Sequence, residues 1–421
     1  MVTKEQINDK ILVINAGSSS IKFQLFKLIN QKPEFQILAK GLVERIAILG
    51  SKIITEVIKG NNTIKHEKII PIKDHDVGAK LVIDQLKTFK VLKDFNEIIG
   101  IGHRLVHGGQ KFITSTIITD QVEAAVIDNI ALAPLHNPPA LKGYHAFKVL
   151  SKNIKHVAVF DTSFHNTLPP EKFLYSVPYN WYQNHQIRRY GFHGISYRYI
   201  LEKLTEVLKK PQGDINAIVC HLGNGASICA IKNGQSFNTS MGLTPLDGLI
   251  MGTRSGIIDP SIPNYLCQIT KNTQQPETVA SVTDALNKAS GLLGISEVSS
   301  DIRDVVAAQT DQKHPKQNQA NLAIKMFCQR VANYIVQYVN DLENKVAALV
   351  FTAGIGENGS EIRAAIINEI KILSLKINQK KNLESYSDYL LISESHSAIP
   401  IYKIRTNEEI IICYDTFSLI K

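Results

Sequence analysis

Ile11-Leu-Val-Ile-Asn-Ala-Gly-Ser-Ser-Ser-Ile-Lys-Phe-Gln-Leu-Phe26 is the stretch on which the fold class turns. Its first four residues are continuously apolar, as in a strand buried on both faces, and its last six alternate, as in a half-buried strand. Between them, Asn15 to Ser20 concentrate turn-forming residues. The pattern predicts a strand over 11–14, a turn over 15–20 and a strand over 21–26, with a third strand around Phe35–Val43. It returns far along the chain. Ala217–Cys220 is apolar, His221–Ser227 is rich in glycine, Ile228–Ile231 is apolar again, and Ser236–Thr239 is the candidate third strand. Two such openings predict two related α/β halves, each starting with a β-meander whose turn can face phosphate.

The bulk properties agree with a folded two-domain protein. A chain of 421 residues exceeds the roughly 100–200 residues of one domain, so two or more domains with a cleft between them are expected. Hydrophobic residues are 44% and charged residues 20%, a globular balance. The first ten residues contain acids and no apolar core, so they do not read as a secretory leader, and no stretch reaches the ~18 apolar residues of a membrane span. A cytoplasmic location is therefore expected. Five cysteines, Cys220, Cys229, Cys267, Cys328 and Cys413, form no C-x-x-C pair, which argues against a disulfide framework or a zinc site. The formal charge is +9, but Lys and Arg are spread along the chain, so a nucleic-acid partner is not expected. Ile324, Phe327, Cys328, Val331, Ile335 and Tyr338 recur at helical spacing and read as core. Thr270–Glu277 and Gln309–Gln319 are polar without an apolar period and read as surface excursions.

The chemistry-bearing strings are short and spaced apart. In Asn15 to Lys22, Gly17 lets a backbone approach an anion while Ser18, Ser20 and Lys22 offer donors; a polar hairpin turn is the alternative. Gly102-His-Arg-Leu-Val-His-Gly-Gly109 sets Arg104 among glycines and histidines. Its forked donors suit a carboxylate, or equally a surface salt bridge. His136 lies in a Pro-rigid loop, and the apolar strand Val157–Phe160 runs into Asp161, a candidate for Mg²⁺ or a reacting group, or else for helix capping. His193 and Arg254 sit beside glycines, where rigid donors suit a transferring phosphoryl group. Gly354-Ile-Gly-Glu-Asn-Gly359 matches G-x-G-x-x-G, but a dinucleotide fold wants an acid about 20 residues on. Gln379-Lys-Lys-Asn-Leu stands there instead, so the dehydrogenase reading is set aside in favour of a nucleotide at a helix N-terminus.

Taken in order from Asn15 to Glu409, these strings resemble the acetate kinase family, within the sugar-kinase, actin and heat-shock-chaperone ATPase superfamily. The resemblance implies two duplicated ribonuclease-H-like domains of actin-like ATPase fold with a nucleotide cleft between them, divided as 1–161 plus 405–421 and 162–404. It implies reversible in-line transfer of the ATP γ-phosphoryl group to acetate, with Mg²⁺ or Mn²⁺ and a homodimeric state. Residue by residue, Arg104 would bind the carboxylate, Val106, Leu135, Phe192 and Pro245 would line the methyl pocket with His136 nearby, and Asp161, His193 and Arg254 would be catalytic. Asn15 and Glu408 match the metal positions. Ser18, Ser20, Lys22, His221, Leu222, Gly223, Asn224, Gly225, Asp301, Ile302, Arg303, Gly354, Ile355, Gly356, Glu357 and Asn358 match nucleotide positions. Ala140, Ile195, Asn238 and Glu297 depart from the family's Asn, Thr, Asp and Gly without touching these roles. Propionate kinase shares the phosphate motifs and differs in the apolar pocket. A shape-switching chaperone or actin-like ATPase would have no need of Arg104, His136 or Phe192-His193.

Overall fold

The computed structural model describes residues 9–29, 34–60, 62–134 and 136–421. Residues 1–8, read above as carrying no leader, and Leu135, assigned to the methyl pocket, lie outside the described residues. The chain divides into two compact units, Met1–Ser163 with Asn407–Lys421, and Phe164–Thr406.

The first unit is built on the strands β1 (Lys10–Gly17), β2 (Ser20–Leu28), β3 (Phe35–Glu44), β4 (Lys52–Lys59), β5 (Asn62–Ile69), β6 (Ile98–Leu105), β7 (Thr116–Ile117) and β8 (Lys155–Phe160). They form one sheet in the order β5-β4-β3-β2-β1-β6-β8-β7. β1, β2 and β3 are antiparallel neighbours, while β6 and β8 run parallel to β1. The second unit holds β9 (Ala217–Leu222), β10 (Ala226–Lys232), β11 (Gln235–Thr239), β12 (Ala348–Thr352), β13 (Tyr389–Leu391) and β14 (Ile401–Ile404), ordered β11-β10-β9-β12-β14-β13. The runs β3-β2-β1-β6-β8 and β11-β10-β9-β12-β14 share order and direction, two antiparallel steps followed by two parallel ones. The duplication expected from the two openings is thus present in the sheets themselves.

Helices cover the sheets. In the first unit, Leu12, Ile14, Phe23 and Leu25 meet Ala79, Val82 and Leu86 of the helix His75–Thr88 and Phe147 of the helix Asn137–Leu150. The helix Glu408–Ile420 packs on β1, β6 and β8. In the second unit, Tyr197, Ile200, Leu201 and Leu204 of the helix Gly194–Leu208 pack on Val219, Cys229 and Val350. The stripe from Ile324 to Tyr338 is buried on the long helix Gln317–Asp341, as its period requires.

Strand ends differ from the expected bounds. β1 runs through Gly17 and β2 begins at Ser20, so the turn is only Ser18-Ser19, with Asn15 paired to Lys22 and Ala16 to Ile21. Likewise β9 and β10 leave only Gly223, Asn224 and Gly225 between them. An antiparallel ladder satisfies the backbone of polar and apolar residues alike, so pairing continues past the point where polarity begins. The glycine-rich string after β12 also forms a short helix, Ala353–Asn358. Its own side chains steady it: the Glu357 Oε1 accepts from the Ala353 N–H at 3.0 Å, and Asn358 Nδ2 donates to the Gly354 carbonyl at 2.9 Å. Among the described residues no helix is long and apolar enough to cross a membrane.

Candidate active site

In the first unit Arg104 and Asp161 lie at the carboxyl ends of the parallel strands, the end at which ligands bind in sheets of this kind. Arg104 is the penultimate residue of β6, and Asp161 follows directly on β8. The Arg104 guanidinium donates through Nε to Asp161 Oδ1 at 3.2 Å, and a second nitrogen closes a short contact to Oδ2. A third donates toward Asn15 Oδ1 at 3.5 Å, and Glu408 Oε2 lies 3.4 Å from Nε. Burial opposes the charge on Arg104, but Asp161 and Glu408 beside it more than offset this and raise its pKa. Asp161 is 1% exposed, and a carboxylate so buried is held where a cation accompanies it.

Glu408 and Glu409 open the helix Glu408–Ile420, whose Asn407 cap accepts from the Ile410 N–H. Negative charge is favoured at that end by the helix dipole. Lys22, across β1–β2 from Asn15, pairs with Glu409. The structure therefore ties Lys22 to the acidic helix start, a partner that the sequence reading did not assign. Ser18 is exposed at the hairpin tip, Ser20 is half-buried, and His136 precedes the helix Asn137–Leu150. Val106 is buried just past β6, and its neighbour His107 is held by Asn137, which accepts from the His107 N–H at 3.1 Å.

The donors Asn15, Asp161 and Glu408 are all hard oxygens gathered on one guanidinium, a set suited to Mg²⁺. Among the described residues no group of three or more His, Cys, Asp or Glu side chains is arranged to hold an ion unaided.

In the second unit two stacked histidines lie beside the β9–β10 hairpin. His193 adopts φ +60° immediately before the helix Gly194–Leu208, and its ring lies on that of His221 with centroids 4.1 Å apart. His193 Nδ1 is 2.8 Å from Ser227 Oγ, and His221 Nδ1 is 2.9 Å from Ser196 Oγ. A Cβ on Gly225 would lie 3.6 Å from both His193 Nε2 and an Arg254 guanidinium nitrogen, so these two side chains approach the same point beside Gly225. Arg254 donates to the Pro245 carbonyl at 3.3 Å, and burial lowers its pKa. Phe192 and Pro245 are buried in this unit, whereas Val106 belongs to the first.

A cavity of about 590 Å³ is lined by Gly223, Asn224, Asp301, Ile302, Arg303, Gly354, Ile355 and Asn358. Three separately read strings thus meet around one space. Gly359, the last glycine of the quoted G-x-G-x-x-G string, also lines it, as do Ser300 and Glu361, to which no role was assigned from the sequence. Asp301 caps the helix Ile302–Thr310, and its hydrogen bonds from Arg303 hold its carboxyl at about 2. His221, Leu222, Gly225, Gly356 and Glu357 are not among the residues that line it; Glu357 accepts from the N–H groups of Ala353 and Thr406.

A family model, the acetokinase family, matches residues 10–414. This chain belongs to that family. It is 49% identical over 411 residues to an acetate kinase of Mycoplasma mycoides subsp. mycoides, covering 98% of this chain and 100% of the relative. An acetate kinase of Bacillus subtilis is 44% identical over 416 residues, with the same two coverages. Among solved structures, Porphyromonas gingivalis acetate kinase superposes with TM-score 0.84 at 37% identity, and a propionate kinase from Francisella tularensis with 0.85 at 41%, each covering 98% of this chain and 100% of its own. The acetokinase match takes in both sheets and every string described above. Of the departures, Asn238 donates to Asp341 at 2.8 Å, and Glu297 takes φ +54° at a helix end, the backbone region that a glycine would fill more easily. Ala140 and Ile195 are core residues.

Proposed function

We infer that this acetokinase-family protein moves the γ-phosphoryl group of ATP onto acetate, reversibly, giving acetyl phosphate and ADP by direct in-line transfer. The observation that carries this reading is the Arg104–Asp161 pair at the strand ends, a two-pronged cation with a buried carboxylate behind it. Arg104 offers its fork to the substrate carboxylate. Acetate is already ionised at neutral pH, so its attacking oxygen needs no general base, and Asp161 serves to orient Arg104. His193 and Arg254 supply donors for the equatorial oxygens of the phosphoryl group, whose charge is spread in the transition state. The cavity lined by Gly223, Asp301 to Arg303 and Gly354 supports nucleotide binding there. Asn15 and Glu408 would hold Mg²⁺, or Mn²⁺ in its place. Bound, the ion would neutralise phosphate charge.

The test is ATP consumption with acetate, propionate, butyrate or no acid in the presence of Mg²⁺. Acetate-dependent turnover is expected, and ATP hydrolysis indifferent to the acid overturns the assignment. The propionate kinase likeness at 41% identity makes propionate the specific competitor. By the same family reading the enzyme is a cytoplasmic homodimer, and a monomer mass in light scattering would remove that part.

A further inference from the structure

We propose that Ser227, backed by the Tyr197 hydroxyl, is the positioning residue that decides which ring nitrogen of His193 carries the proton, so that the imidazole presents Nε2–H to the transferring phosphoryl group. The inference rests on the catalytic role of His193 given above and goes beyond it. Three groups lie in series: Tyr197 Oη makes a short hydrogen bond to Ser227 Oγ, and Ser227 Oγ is 2.8 Å from His193 Nδ1. Tyr197 and Ser227 are both wholly buried. Burial pushes the Tyr197 hydroxyl well above its ordinary value, so it stays protonated. A phenol is a better donor than acceptor, and Tyr197 therefore gives its hydrogen to Ser227. Ser227 has one hydrogen of its own, which is then directed at His193 Nδ1. A ring nitrogen that accepts leaves the proton of the neutral imidazole on the other nitrogen, here Nε2. That nitrogen is on the side of Gly225 and Arg254.

The backbone holds the arrangement. His193 is fixed at φ +60° at the start of a helix, and its ring is sandwiched against His221, itself held through Nδ1 by Ser196. Ser196 in turn shares a hydrogen bond with Thr406 at 2.8 Å. The two imidazoles are thus oriented in the same way, each by a serine backed by a second hydroxyl. Neither Ser227 nor Tyr197 needs to touch substrate for this.

The decisive measurement is the ring ¹⁵N spectrum of His193 in the intact, ¹⁵N-histidine-labelled enzyme above pH 7.5, assigned with His193→Ala. An imine-type Nδ1 and a pyrrole-type Nε2 are expected; the opposite tautomer overturns the proposal without any further variant. Kinetics supply the second arm. Ser227→Ala should lower kcat roughly tenfold or more, the scale of a misdirected proton donor, while KM for acetate and for Mg-ATP stays within about twofold. Ser227→Thr, which keeps the hydroxyl, should recover most of the loss. Ser227→Ala at full kcat, with His193→Ala impaired, overturns the positioning role. Full activity in His193→Ala overturns instead the role of His193 on which the proposal stands.

Discussion

At Arg254 and Arg104 two guanidiniums meet different demands. Arg254 is desolvated beside Gly225 and the Pro245 carbonyl, and under the proposed function its charge would meet charge that develops during transfer. Arg254→Ala should lower kcat about a hundredfold or more with ATP affinity nearly intact, because the lost interaction belongs to the transition state. Arg104→Ala should mainly raise KM for acetate. Equal loss of ATP binding in both variants, measured by titration calorimetry, would contradict this division. Val106 carries the other residue-level prediction. It is β-branched and 5% exposed, and by the family reading it faces the substrate methyl group. Since one methylene discriminates by only ~1–3 kcal/mol, Val106→Ala should reduce the kcat/KM ratio of acetate over propionate roughly ten- to two-hundredfold at most. An untouched ratio would show that Val106 is not the limiting wall.

The element that decides the first-unit site is the helix Glu408–Ile420, and its seat on the sheet depends on Gly102. A Cβ at Gly102 would overlap Thr416 Oγ1 and the Ile412 side chain, so β6 and the helix approach each other only because glycine stands there. Gly102→Ala should destabilise the protein by about 1–3 kcal/mol, the usual scale of overpacking. It should also raise the Mg²⁺ concentration needed for activity, because Glu408 opens that helix and lies against Arg104. A wild-type melting temperature with a wild-type Mg²⁺ titration would refute the close-packing argument. The string Gly100-Ile-Gly-His-Arg104 is visible in the sequence, but the helix that makes its glycines necessary comes from the far end of the chain.

Across the whole molecule, both units carry histidines kept neutral by burial. His156 in the first and His165 in the second are held at about 4, and His103, hydrogen-bonded to His156, lies well below its ordinary value. In the unfolded chain these rings take up a proton below about pH 6.5. The unfolded state then binds more protons than the folded one, so stability present above pH 6.5 is lost progressively as pH falls toward 4. At pH 5 each of His156 and His165 should cost about 2 kcal/mol. Urea midpoints at pH 7 and pH 5 check this, and equal midpoints would show that the buried rings are not neutral.

Much of this molecule was legible before folding because it is local. The apolar run at Ile11–Ile14, the alternation at Ile21–Phe26 and their echo at Ala217–Ile231 mark strands by side-chain period alone, and the helical stripe from Ile324 to Tyr338 does the same at its own period. Glycines, arginines and histidines in short strings likewise announce a phosphate chemistry. Other features depend on register and strand order, which join residues far apart in the chain. The hairpin at Ser18-Ser19 is tighter than its composition suggests because the ladder continues through Gly17. Arg104 meets Asp161 because β6 and β8 are parallel neighbours, and Lys22 meets Glu409 because the last helix returns to the first sheet. Tyr197 reaches Ser227 only after the helix Gly194–Leu208 has packed on β9 and β10. Periodicity specifies which face of an element is buried, whereas the partner of a buried polar group is chosen by whichever distant element covers that face.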